Sequence, residues 1–271
     1  MKRLDKIYLG TNTKMYKTIQ NSVDFISDLQ KYTRDIPRDI LELFVLPSYT
    51  ALDRIRQTAD PGLVRYGSQN ISWAEEGQYT GEISPVMLRE TGAEIVMVGH
   101  SERRHILGEG LEEIHKKIVC GLEHGFTVLL CVGETEAQKD QGIADETLRI
   151  QLKTAFYGLN ADAAGKLWVA YEPVWAIGVH GVPASKEYAE EKHIVIKETL
   201  EEIFGKENGE KIPVLYGGSV NLENAAGLIA MDGIDGLFIG RSAWDAKRFN
   251  EIIRISLDVW NKRSGMEQWK R

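Results

Sequence analysis

Short runs of apolar residues alternate along the chain with longer stretches in which apolar positions recur every three or four residues. The runs are residues 7–9, 41–46, 63–66, 95–98, 127–132, 167–171, 212–216 and 236–239. Apolar character within them is continuous rather than alternating, the pattern of strands covered on both faces, as in a parallel sheet. Between them the period is helical. Residues 22–32 put Val23, Ile26 and Leu29 on one face, and residues 111–124 do the same with Ile114, Ile118 and Leu122, with Gly125 placed to end that helix. Ser185 is placed to cap a helix running through Tyr188, Ile194 and Leu200. Eight strand-then-helix units of roughly 25 to 45 residues predict an α/β fold, a closed (β/α)8 barrel; a doubly wound open sheet also fits the pattern.

No Pro- or Ser-rich linker breaks the alternation, so residues 1–271 read as one domain, with a polar C-terminal extension from about 260 to 271. At 43% hydrophobic and 27% charged residues, the composition is ordinary for a globular chain and excludes disordered, collagen-like and coiled-coil classes. A formal net charge of -7 leaves no global basic footprint for nucleic acid, so an anionic ligand must be drawn by a local positive site. Two cysteines, Cys120 and Cys131, make no disulfide framework. The charged start lacks a signal peptide's apolar segment, and no apolar run reaches membrane-spanning length. The expectation is a soluble, cytoplasmic protein with neither membrane nor nucleic acid as partner.

In such a barrel, ligand chemistry gathers where the strands end. Lys14 follows the first run, a point charge suited to a phosphorylated or enolate-like ligand. His100 follows the fourth at the start of a helical turn, where the positive helix end lowers its pKa and favours neutral imidazole. A metal site using His100 and His105 lacks a third ligand at matching spacing. Glu172 follows the sixth, where burial would raise a carboxylate toward a general base's pKa. After it comes an apolar Trp175-Ala176-Ile177 loop bounded by Gly and Pro, read as an exposed lid over the site. Gly217, Gly218 and Ser219 follow the seventh run, and Gly240 and Arg241 the eighth. Glycines there let backbone N–H groups close around a phosphate.

Six blocks resemble the triosephosphate isomerase family: residues 10–15 (GTNTKM), 79–85 (YTGEISP), 99–104 (GHSERR), 131–134 (CVGE), 170–178 (AYEPVWAIG) and 216–220 (YGGSV). They fall in order along nearly the whole chain. The resemblance implies a cofactor-independent isomerase of a small phosphorylated sugar, needing neither metal nor organic group. It implies Glu172 as the base, His100 as the neutral electrophile, and Asn12 and Lys14 as stabilisers of the enediolate. Glu102 and Cys131 would support them, and Gly178, Gly218, Ser219, Gly240 and Arg241 would take the phosphate. It also implies a homodimer through the Tyr79–Glu82 loop. Departures bear on the substrate. Thr13 stands where the family has Trp, loosening packing by Lys14; Tyr16 and the 179–182 hinge also differ, and Arg241 replaces a glycine, tolerable only without positive φ. The expected substrate is the triose of glycolysis and gluconeogenesis. The alternative is a tetrulose phosphate such as L-erythrulose 1-phosphate, because Arg241 and the hinge are similar to isomerases of that kind. A sugar-phosphate-binding barrel without activity is the third reading.

Overall fold

Each of the eight apolar runs supplies a strand: β1 (Ile7–Asn12), β2 (Leu41–Leu46), β3 (Arg65–Ser68), β4 (Ile95–Val98), β5 (Thr127–Val132), β6 (Leu167–Tyr171), β7 (Val214–Tyr216) and β8 (Gly236–Ile239). These come from a computed structural model describing residues 4–178 and 181–264. Neighbours pair in parallel and in sequence order, and β8 returns to β1, with Tyr8 opposite Gly236 and Thr11 opposite Ile239. The barrel is closed, which removes the open-sheet alternative. Its jacket comprises α1 (Ile19–Thr33), α2 (Tyr49–Arg56), α3 (Pro85–Glu90), α4 (Ser101–His105), α5 (Leu111–Glu123), α6 (Glu136–Asp140), α7 (Ala144–Ala155), α8 (Lys186–Phe204), α9 (Lys206–Gly209), α10 (Ala225–Ile229) and α11 (Ala246–Ser264).

Burial explains the continuous apolar runs. In β4, Ile95 and Met97 point into the barrel with Phe44, Trp168 and Phe238, while Val96 and Val98 point outward against the helices. Phe44 and Phe238 stack at 5.8 Å near the strands' C-terminal ends. Gly10 makes room for that stack, since a Cβ there would stand 2.2 Å from the Phe44 ring. Helix starts use side-chain caps, Thr18 for α1, Ser185 for α8 and a Thr135–Gln138 capping box for α6, each typically contributing about 1 kcal/mol.

Two strands begin later than their apolar runs. The Leu63 and Val64 N–H groups are spent on a turn, both donating to the Asp60 carbonyl, so β3 starts at Arg65. Pro213 has no N–H for the ladder, and β7 starts at Val214. The last helix continues through Trp260, which is fully buried, so the segment expected as a polar extension begins inside α11; residues 265–271 lie outside the described residues. No described helix is long and apolar enough to cross a membrane.

Candidate active site

At the end of β1 the chain turns sharply. Asn12 Oδ1 accepts the Lys14 N–H at 2.7 Å, and Lys14 takes φ 51°, the sole positive φ outside glycine among the described residues. Such a conformation is costly and must be held by its surroundings. Gln69 holds it from one side, its Nε2 donating to the carbonyls of Lys14 and Leu46 at 2.9 and 3.0 Å. The same amide reaches the buried Thr13 hydroxyl at 3.4 Å. Packing beside the lysine is therefore closed rather than loosened, contrary to the expectation from Thr13. The Lys14 ammonium lies 2.6 Å from Glu102 Oε1.

His100 caps α4, and its Nδ1 accepts the Glu102 N–H at 3.2 Å. That bond puts the imidazole proton on Nε2, which faces Glu172 Oε1 at 3.5 Å. The pKa of His100 is pushed down to about 3, first by burial and then by the charges of Lys14, Arg104 and Arg103. The helix end, invoked from sequence, is not the leading cause.

Glu172, the first residue after β6, is 3% exposed. Burial pushes its pKa up to about 7; the Lys14 and Arg104 charges and the Ser101 N–H pull the other way, and the Glu102 charge raises it further. Its Oε2 has no hydrogen-bond partner among the described residues. Gly217 lies against it so closely that a Cβ there would stand 2.7 Å from the Glu172 Cγ. Cys131 is buried beside it, and burial followed by the Glu172 charge pushes the thiol pKa well up, keeping the group neutral. A base able to hold a proton near neutrality thus faces a neutral imidazole N–H.

Both open onto a cavity of about 420 Å³ that Asn12, Lys14 and Glu102 also line. Its opposite wall is made by Gly178, Gly218, Ser219, Gly240 and Arg241. Gly178 has φ 91°, whereas Arg241 opens a 3-10 turn without positive φ, so the arginine imposes no backbone strain. Its guanidinium is exposed and forms no ion pair with a described residue. The Trp175-Ala176-Ile177 cluster is not exposed as expected. Ala176 is fully buried, and Trp175 and Ile177 are half-buried, because Trp175 Nε1 donates to Glu134 Oε1 at 2.8 Å. Val182 N–H returns to the Trp175 carbonyl at 3.3 Å. In the 179–182 hinge, Val179 and His180 lie outside the described residues.

All the residues singled out from sequence for catalysis and phosphate binding therefore meet at one cavity, with Cys131 packed beneath Glu172. Sequence reasoning missed four others. Arg104 and Glu134 stood inside recognised blocks without an assigned role, and Gln69 carried no signal. Neither did Trp244, whose indole N–H donates to the Asn12 carbonyl at 2.9 Å across 232 positions of sequence.

Known proteins agree with this geometry. The family profile described as triosephosphate isomerase matches residues 7–256. The L-erythrulose-1-phosphate isomerase of Rhizobium etli is 42% identical over 256 residues, covering 93% of this chain and 94% of the relative. That of Rhizobium meliloti is 42% identical over 250 residues, covering 92% and 96%. The Brucella abortus protein of the same name is 38% identical over 251 residues, again covering 92% and 96%. With a closed barrel, one shared cavity and matches of this extent, the chain belongs to the triosephosphate isomerase family and is a sugar-phosphate isomerase of the aldose–ketose class.

Proposed function

We propose that the substrate is a tetrulose phosphate of the L-erythrulose 1-phosphate type. The sequence alone ranked a triose first; relatives that bear the tetrulose name over more than nine-tenths of both chains favour the second reading. The chemistry rests on one observation, Glu172 and His100 facing each other at 3.5 Å with their pKa values pushed in opposite directions. A glutamate base beside a neutral histidine is the known arrangement of triosephosphate isomerase itself.

L-erythrulose 1-phosphate is dihydroxyacetone phosphate with a hydroxymethyl group added at the carbon farthest from the phosphate. Its C2 is a ketone and its C3 bears a hydroxyl and one hydrogen. Glu172 takes the C3 proton, and the His100 Nε2–H hydrogen-bonds the C2 oxygen as it gains charge. The proton returns to C2 while His100 passes the C3 hydroxyl proton to the C2 oxygen and the C3 oxygen becomes the carbonyl, so the class's enediolate step here joins two ketoses. Lys14 and Asn12 stabilise the intermediate charge. The backbone at Gly178, Gly218, Ser219 and Gly240 receives the phosphate. The Trp175 loop excludes the water and loose geometry that would let phosphate leave from the enediolate.

Side-by-side assays of L-erythrulose 1-phosphate and dihydroxyacetone phosphate test this reading. We expect kcat/KM to favour the tetrulose by about ten- to 200-fold, the range that one extra carbon's contacts supply. Equal or better turnover of the triose overturns the substrate assignment, and turnover of neither favours a binding barrel. Arg241→Gln is expected to raise KM by about ten- to a hundredfold, the scale of a charge-assisted hydrogen bond to phosphate. An unchanged KM would remove Arg241 from the phosphate site.

The same reading places the protein in the cytoplasm as a homodimer. Met15, Tyr79, Val86, Met87, Ile106 and Leu107 are all more than 40% exposed and follow β1, β3 and β4, where a second copy would cover them. Light scattering on the purified chain should give twice the 30.5 kDa mass of a monomer.

A further inference from the structure

The loop that carries Lys14 is held in a strained conformation by restraints from both sides of the barrel mouth; on the near side Thr13 N–H donates to the Leu46 carbonyl at 3.2 Å. Gln69, just beyond β3, grips the Lys14 carbonyl. The restraint on the other side crosses the barrel's closure. Trp244, at the C-terminal end of the Arg241–Ala243 turn, donates its indole N–H to the Asn12 carbonyl at 2.9 Å. The indole is itself held by Tyr16, whose ring lies 4.6 Å away at 40°. Both aromatic residues line the catalytic cavity, and both also wall a separate groove of about 370 Å³ on the α1 and α11 side. The pair is thus a thin partition. One side faces the catalytic cavity, and the indole's polar tie runs to the residue that sets the Lys14 turn.

We propose that Trp244 is a positioning residue, which acts through the Asn12 carbonyl to keep Lys14 aimed at the developing enediolate, with Tyr16 bracing the indole. The inference rests on the isomerase reading above. Asn12 carries both ends of the device: its carbonyl receives the indole N–H, and its side-chain oxygen receives the Lys14 N–H. If the first bond is lost, the peptide between Asn12 and Thr13 is held only on its other side, by the Thr13 N–H to the Leu46 carbonyl at 3.2 Å, so its carbonyl end can tilt and the Lys14 turn eases from φ 51° toward an ordinary conformation. The ammonium then shifts relative to the reacting carbons. A displacement of that kind weakens stabilisation of the transition state more than binding of the ground state. The same contact couples the loop after β8, which forms the phosphate wall, to the loop after β1.

The decisive variant is Trp244→Phe, which keeps an aromatic ring against Tyr16 and removes the N–H. With whichever sugar phosphate the wild type turns over, kcat should fall about tenfold, the scale of one lost hydrogen bond, while KM stays within about twofold. In a Lys14→Ala background the same change should have no further effect on kcat, because Trp244 acts through that lysine. Replacing the indole by benzothiophene, which deletes only the N–H, should reproduce the loss if Trp244→Phe folds poorly. Calorimetry with 2-phosphoglycolate, a phosphorylated mimic of the enediolate, gives a readout without turnover: binding about tenfold weaker in Trp244→Phe and no weaker still in the double variant. Wild-type kcat in both replacements, or an equal loss with and without Lys14, overturns the positioning role alone. A wild-type protein that neither turns over a sugar phosphate nor binds 2-phosphoglycolate overturns the isomerase reading and this inference with it.

Discussion

Two glutamates sit side by side at the C-terminal end of the barrel, and their surroundings could hardly differ more. Glu134, after β5, is fully buried and ringed by donors. Tyr171 Oη reaches both of its oxygens at 3.1 Å, Trp175 Nε1 reaches one at 2.8 Å and Tyr188 Oη the same one at 3.0 Å. Glu172, after β6, is equally withdrawn from water, yet among the described residues one oxygen has no partner and the other faces His100 at 3.5 Å. Burial with few donors lets desolvation favour the protonated acid, whereas a full ring of donors takes the place of water. The same side chain therefore serves at one position as a fixed acceptor that fastens the Trp175 loop, and at the next stands ready to carry a proton, as the proposed mechanism requires. Environment, rather than residue type, separates the two roles.

The largest expected effect breaks the comparison most directly. Glu172→Gln keeps the shape and removes the base, and should lower kcat by about two to four orders of magnitude. Glu134→Gln, assayed beside it, should change kcat by less than about tenfold, since only the lid's fastening is weakened. Comparable losses in the two variants would mean that the donor-rich site also takes part in proton transfer.

The pH response sharpens the contrast. The proposed mechanism needs Glu172 unprotonated, so kcat/KM should rise with pH through about 7, and His100, held near 3, should add no second inflection in the working range. Stability runs the opposite way. The folded protein holds a proton on Glu172 up to about pH 7, while the unfolded chain releases it near 4.5. Between those values the native state binds more protons, so stability falls as pH rises, by about 3 kcal/mol in all. Glu172→Gln mimics the protonated form. It should match the wild type in urea unfolding near pH 4.5 and exceed it by about 3 kcal/mol at pH 8. Equal stability at both pH values would show that Glu172 is not strained by its burial.

Much of this site was legible in the sequence because strand ends are fixed by the apolar runs that precede them. Lys14, His100 and Glu172 each follow such a run within five residues, and closure of the barrel brings three distant loops to one mouth. The glycines at 217, 218 and 240 were visible for the same reason. What stayed hidden depends on side chains meeting across the fold. No local pattern says that Trp244 will reach the Asn12 carbonyl, or that Gln69 will grip the Lys14 turn. The lid illustrates the limit well. An apolar Trp-Ala-Ile sequence reads as an exposed tip until its indole is seen fastened to a glutamate 41 residues earlier in the chain.

The smallest expected effect probes that fastening. Tyr188, three residues beyond the Ser185 cap of α8, gives Glu134 its outermost hydrogen bond and meets the Trp175 ring edge-on at 5.6 Å. Tyr188→Phe keeps the ring contact and removes only the hydroxyl. Glu134 retains Tyr171 and Trp175, so no oxygen is stranded. The loss should be about 1 kcal/mol, a fall in melting temperature of about 2–4 °C. Because Trp175 leads into the lid, a looser Glu134 should also ease opening, changing kcat and KM together by no more than a few-fold. The pH midpoint of kcat/KM should stay near 7, because Tyr188 acts on Glu134 and not on Glu172. A shift of that midpoint in Tyr188→Phe would show that the donors around Glu134 help set the basicity of Glu172.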